Sequence, residues 1–484
     1  MEDTSGLGEM PTMVDAAAAI AAGETTASAL LERCLEVVDA HNEELNAFVH
    51  LDPDGARVAA AEVDERIARG EPVGRLAGVP FGVKDLEDCA GMPTSQGSLL
   101  YLDDPPVQAD SIHVARLRAA GAIPIGKTAS PEFGTLQYTR SKALGVTRNP
   151  WNLAVTPGGS SGGSAAAVSA GLVPFSTASD GGGSTRIPAS FSGLVGMKAS
   201  FGRVPAPSAD ISQTTSIGIL VTSVRDAAVH LDLAAGPDDR DRTSLPPPTG
   251  SYEEAMDRLD VRGLRIGWSL DLGYAVVDPE VGELARAAAE IVASEAGSSL
   301  VEVDVHLTDP VRTWLGNGVI GDWLDIAGKD AYPDRLADLT PYVASTLTAT
   351  ADRPVPTLVK PLQRRRQLAE DAAAIFDEVD VLLTPTTAVT AFAAEGPPPA
   401  TIAGEDMAAR FGEAAAGAMN VPFTMLANLC WNPACSVPAG LASDDLPVGL
   451  QIMGRRHADD VVLRLARLYE LARPWPRHAP MGRP

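Results

Sequence analysis

Thr156-Pro157-Gly158-Gly159-Ser160-Ser161-Gly162-Gly163-Ser164, and then Asp180-Gly181-Gly182-Gly183-Ser184-Thr185-Arg186, are the stretches from which the rest of this chain is best read. Ser160 and Ser184 stand 24 positions apart, each inside a glycine run. Glycine lets a backbone approach a ligand closely and turn several N–H groups toward one point. Between the runs, Ala165 to Ala170 is a good helix former and Val173 to Ala178 reads as a strand. The glycines therefore sit at the joints of an α/β unit and hold a defined shape. Serines held there are candidate nucleophiles or proton relays, and the question is what activates them.

Working outward, the same alternation continues in both directions. Upstream, Val79-Pro80-Phe81-Gly82-Val83 reads as a buried strand ending at Lys84. Ile112 to Ala120 is helical and Ile123-Pro124-Ile125 is a strand. Residues 11–70 read as helices, with helical apolar spacing over Met13 to Ala21 and Ala29 to Val38, the second capped by Thr25 or Thr26. Downstream come a helix (Val224 to Ala235), a strand (Leu264 to Gly267), a helix (Pro279 to Ala296) and a strand (Leu300 to Val305). Val379 to Leu383 and Val448 to Met453 are late strands, and Ala458 to Leu471 a final helix. Such alternation predicts an α/β sandwich with a largely buried sheet. Pro/Gly/acid-rich stretches near 236–250, 351–357 and 392–406 read as surface loops, none of them a domain boundary. The expected organisation is one domain over 1–484: a helical segment at 1–75, a core at 76–205, and the remaining sheet and pocket segments at 206–484.

The chain has 484 residues and a net charge of −25, from 63 acidic against 38 basic side chains. That surface repels phosphate backbones and anionic lipid, so nucleic acid and membranes are excluded as partners. No uncharged apolar run approaches the ~18 residues of a transmembrane helix. Met1-Glu2-Asp3-Thr4 lacks the charged-then-apolar order of a signal peptide. Cys34, Cys89, Cys430 and Cys435 lack metal-ligand spacing and are expected to be small buried residues. A cytoplasmic protein needing no metal or other cofactor is expected.

Two familiar patterns match by accident. Gly121-Ala122-Ile123-Pro124-Ile125-Gly126-Lys127-Thr128 fits the phosphate-binding loop G-x-x-x-x-G-K-[ST]. Its middle is the predicted strand itself, with a proline that removes an N–H donor, and Ser130-Pro131 follows instead of a helix. Gly159-Ser160-Ser161-Gly162-Gly163 fits the nucleophile elbow G-x-S-x-G. The elbow needs a downstream histidine. Of His230, His306, His457 and His478, the third follows two arginines and the last lies in a Pro/Arg-rich tail.

Without histidine, a neutral lysine can act as the base. Burial away from water lowers a lysine pKa by up to several units. The chain has only six lysines. Lys84, at the end of an apolar strand, is placed for such burial.

Lys84, the Gly158 to Ser164 run and Asp180-x-Gly-Gly-Ser184-x-Arg186-x-Pro188-Ala189 together resemble the amidase signature family of serine hydrolases. Ala77 to Asp85, Gly126-Lys127-Thr128, Glu132-Phe133-Gly134, Arg148 to Trp151, Gly193 to Lys198 and Leu446 to Gln451 extend the resemblance over about 12–472. The resemblance implies a single α/β/α sandwich around a large mixed, twisted sheet. It also implies a Ser–cisSer–Lys triad: Ser184 the nucleophile, Ser160 the bridging serine after a cis peptide bond, and Lys84 the base. The N–H groups of Gly181, Gly182, Gly183 and Ser184 are then expected to hold the oxyanion. Gly181 departs from the Thr or Ile frequent in the family.

The resemblance implies cleavage of carboxamide C–N bonds through a seryl acyl-enzyme, with an aryl or bulky amide as small-molecule substrate; carbamates and esters are admitted, as is a homodimer. The alternative is the A subunit of a tRNA-dependent glutamine amidotransferase. Phe201-Gly202-Arg203-Val204-Pro205-Ala206-Pro207 departs from that subunit's Tyr-Gly-Arg-Val-Ser-Arg-like run, and the negative charge suits tRNA badly. Pocket walls are expected from 310–345 and 385–430. Trp314, Trp323, Phe392 and Trp431 are expected to be core before pocket, and Arg364-Arg365-Arg366 a solvated helix face.

Overall fold

The glycine–serine unit is built as the spacing predicts: a helix, Gly162–Ser169, then a strand, Phe175–Asp180. Every residue of that helix is buried. Its small side chains make this possible. A Cβ on Gly163 would lie 2.2 Å from the Ala129 backbone nitrogen, so glycine there permits contact between helix and neighbouring strand end. The computed structural model describes residues 9–207, 213–354 and 359–481. The acidic N-terminal tetrapeptide and residues 355–357 of one expected loop lie outside them.

Among the described residues, eleven strands form one sheet. Across it lie Phe48–Leu51, Ile123–Thr128, Pro80–Lys84, Phe175–Asp180, Ser216–Val221 and Val195–Lys198, then Ala434–Leu441, Pro447–Gly454, Val381–Pro385, Ile266–Trp268 and Leu300–Glu302. Pro80–Lys84 runs parallel to both its neighbours. Ala434–Leu441 and Pro447–Gly454 are antiparallel, so the sheet is mixed. The helices Val224–Ala234, Pro279–Glu295 and Asp459–Ala472 form one layer over it, and Gly162–Ser169 packs with Arg186–Ser192 on the sheet as part of the other. The main apolar core surrounds the sheet, and the expected α/β/α sandwich is what the chain forms.

Some sequence expectations need correction. Residues 11–70 are not all helix. The Ala27–Leu45 helix is capped by Thr26 and ends at Asn46 in a left-handed conformation. Phe48–Leu51 then pairs antiparallel with Ile123–Thr128 before Asp52 caps the next helix. The 392–406 loop contains a short hairpin, Thr401–Ile402 with Glu405–Asp406. Arg364 and Arg366 are exposed, but Arg365 is half-buried and donates to the Leu429 carbonyl at 3.0 Å. All four cysteines are buried and free. Among the described residues no helix is long and apolar enough to cross a membrane.

Candidate active site

Pro80–Lys84 is buried along its whole length, and this carries Lys84 out of water at the strand end. Its backbone N–H is tied to Thr177 Oγ1 of the adjacent strand at 2.9 Å. The side chain, 1% exposed, donates to Ser160 Oγ and Ser179 Oγ, both at 2.8 Å. Burial lowers its pKa from 10.5 to about 7, while Asp180 and Glu87 pull in the opposite direction. The Gly159–Ser160 peptide bond is cis. Ser179 was not singled out by sequence; its only signal is its place next to Asp180 on a strand beside Lys84.

The second glycine run leaves the sheet at Asp180, and a buried ion pair shapes it. Arg186 grips Asp180 through Nε to Oδ2 at 2.9 Å and Nη2 to Oδ1 at 2.8 Å. Arg186 Nη1 donates to Gln451 Oε1 at 2.6 Å, and Nη2 donates also to Asn428 Oδ1 at 2.7 Å. Burial alone would raise the Asp180 pKa, but Arg186, Lys198 and Asn428 bring it down to about 2. The carboxylate thus accepts backbone N–H groups from Gly183 at 2.7 Å and Thr185 at 3.3 Å, folding the loop back over the ion pair. The Gly183 N–H, expected among the oxyanion donors, is directed to the Asp180 carboxylate.

Lys84, Ser160, Ser179, Gly181, Gly182 and the half-buried Ser184 all line one cavity of about 920 Å³, and Gly183 does not. Phe133, Tyr138, Ile187, Trp314, Tyr342 and Met425 supply its apolar walls. Segments 310–345 and 385–430 contribute as expected, and Leu86 to Tyr138 supplies a further wall. Trp314 is a wall residue, against its reading as core, whereas Phe392 is buried and Trp431 stacks on Phe201 at 5.0 Å.

The lysine of the first accidental motif and the elbow serine of the second are both held in the packed interior. Lys127 is fully buried on its strand and donates to the Glu87 carbonyl and to Thr94 Oγ1, each at 2.8 Å. Ser161, the elbow serine, is buried and its hydroxyl faces the Ser179 carbonyl at 3.4 Å. His113, which sequence reading passed over, does line the cavity. Both its ring nitrogens are engaged, by Glu87 at 2.9 Å and His230 at 2.8 Å. Among the described residues no group of three or more His, Cys, Asp or Glu could hold a metal ion.

The Amidase family profile matches residues 29–463. The chain is 34% identical over 494 residues to the A subunit of the glutamyl-tRNA(Gln) amidotransferase of Chloroflexus aggregans, covering 97% of this chain and 98% of that one. It is 34% identical over 472 residues to an acylamidase of Rhodococcus erythropolis, covering 95% and 94% of the two chains. The crystal structure of a bacterial aryl acylamidase of the amidase signature enzymes superposes with a TM-score of 0.90 at 31% identity, over 98% of this chain and 99% of that one. On this profile match, these relatives and this fold, the chain belongs to the Amidase family, the amidase signature enzymes, and is an amide-hydrolysing enzyme.

Proposed function

We propose that this chain hydrolyses aryl or bulky carboxamides through an acyl-enzyme on Ser184, with Ser160 as proton relay and Lys84 as base. The observation that carries the proposal is the 2.8 Å contact of buried Lys84 with Ser160, on the wall of the cavity that Ser184 also lines. A lysine titrating at its ordinary 10.5 would be neutral in only about 1 molecule in 3,000 at pH 7. Lowered to about 7, roughly half is neutral.

Neutral Lys84 takes a proton from Ser160 as Ser160 takes that of Ser184. Ser184 Oγ attacks the carbonyl carbon, and the negative charge moves to the carbonyl oxygen. The N–H groups of Gly181, Gly182 and Ser184 stabilise that oxyanion; one such donor is commonly worth ~3 kcal/mol. As the C–N bond breaks, the amine takes its proton from Ser160, which recovers one from Lys84. Water attacks the seryl ester through the same relay, giving the carboxylic acid and free Ser184. Carbamates and esters present the same carbonyl and can follow the same path.

The aromatic and aliphatic walls support an aryl or bulky group, and a cavity of about 920 Å³ has room for it. The second reading, an amidotransferase A subunit, is favoured by the identity to the Chloroflexus protein. It differs in one measurable respect: a free-standing amidase turns over anilides as the purified chain, whereas glutamine hydrolysis only in the presence of partner subunits would establish the second reading. Mass spectrometry after a fluorophosphonate probe should place the adduct on Ser184. An adduct on Ser161 would move the nucleophile to the elbow and sink the proposal.

A further inference from the structure

A trans peptide unit points its C=O and N–H in opposite directions, so a group that holds one fixes the aim of the other. The peptides from Asp180 to Gly183 are not among the cis bonds of the chain. Each of their carbonyls is held by a side chain that lies far away in sequence. Asn428 Nδ2 donates to the Asp180 carbonyl at 2.7 Å, on the peptide that carries the Gly181 N–H. Trp314 Nε1 donates to the Gly181 carbonyl at 2.7 Å, on the peptide that carries the Gly182 N–H. Thr424 Oγ1 donates to the Gly182 carbonyl at 2.6 Å, on the peptide whose N–H goes to Asp180.

We infer that Asn428 and Trp314 are positioning residues that aim the Gly181 and Gly182 oxyanion donors by holding the reverse side of the peptides that carry them, and that Thr424 positions both by anchoring the next peptide of the same turn. The inference rests on the reading of Ser184 as nucleophile. The first two peptides have a held carbonyl, and their glycines, Gly181 and Gly182, line the cavity. The third is held at both ends, by Thr424 and by Asp180, and anchors the turn. Trp314 comes from the helix Pro310–Asp325, and Asn428 from Met425–Leu429, directly after Thr424. The Trp314 ring also lies against Gly182, where an added Cβ would stand 2.6 Å from ring Cε2. The glycine loop therefore owes its aim to segments more than 100 residues downstream.

The test uses Trp314→Phe, which keeps an aromatic wall without the N–H, and Thr424→Val, which keeps the shape without the hydroxyl. Thr424→Ser restores the donor. Each purified protein is compared with wild type for kcat and KM on an anilide, for affinity to a trifluoromethyl ketone of the same acyl group, and for fluorophosphonate labelling. A misaimed donor should lower kcat about 10- to 100-fold. KM should move less than about threefold, because the ground-state carbonyl demands less of the donors than the oxyanion. Ketone affinity should fall by the same factor as kcat/KM, Thr424→Ser should stay within about threefold of wild type, and the acid limb of the pH profile should not move. If Trp314→Phe does not fold, the Thr424 pair decides alone. Folded variants with wild-type kcat and ketone affinity, or with lowered kcat and undiminished ketone affinity, overturn the inference while Ser184 still labels. An adduct elsewhere in wild type overturns the reading beneath it as well.

Discussion

Lys84 and Lys198 each close a strand of the same sheet, Pro80–Lys84 and Val195–Lys198. Both are 1% exposed, and burial brings both from 10.5 to about 7. What they touch differs. Lys84 donates to two serine hydroxyls at 2.8 Å on a cavity wall. Lys198 donates to the Ala199 carbonyl at 2.9 Å, with Ser216 Oγ at 3.5 Å, and Arg186 adds its repulsion to the effect of burial. It does not line the cavity. Desolvation alone makes a lysine neutral. A hydroxyl that can yield its proton, and a space for substrate beside it, make a neutral lysine a base.

The contrast can be broken most severely at the far end of the relay. Ser184→Ala should abolish turnover with the circular dichroism spectrum unchanged; a residual rate near wild type would free the chemistry from this loop. Lys84→Met should lower kcat/KM by about 10²–10⁴, the usual contribution of acid–base catalysis. Gly182→Ala forces a methyl group against the Trp314 ring and should lower kcat about 100-fold, comparable to losing one oxyanion donor. The smallest effect sharpens the comparison: Lys198→Met should change kcat/KM less than about tenfold, since its amino group lies off the cavity and meets no reacting group. Equal losses at Lys84 and Lys198 would mean that both lysines act only by supporting the fold.

The positions of Lys84, Ser160 and Ser184 are legible in the sequence because each belongs to a short local pattern. The strand that buries Lys84 is a run of apolar residues, and the glycine runs mark the turns beside it. Ser179, Trp314, Thr424 and Asn428 carry no such mark. Their importance arises from pairing across the sheet and from segments packed over the loop, which linear spacing does not encode. Gly183 illustrates the same limit: as a member of the glycine run it reads as an oxyanion donor, yet Asp180, three residues earlier, accepts its N–H at 2.7 Å. In the fold, the Ala434–Leu441 strand is hidden by Pro438 and Gly440, where its register with Pro447–Gly454 shifts. Phe48–Leu51 is hidden by its short length between two strong helices.

The central claim is that Lys84 acts as a neutral base, and the pH dependence of kcat/KM for an anilide tests it most directly. The folded pKa lies below the ordinary value, so protonated Lys84 predominates below about 7 and the neutral form above it. The rate should therefore rise about tenfold per pH unit on the acid side, bend near 7 and level off above, and this limb should vanish in Lys84→Met. A Lys84→Met enzyme that retains both the wild-type rate and the same acid limb would contradict the account.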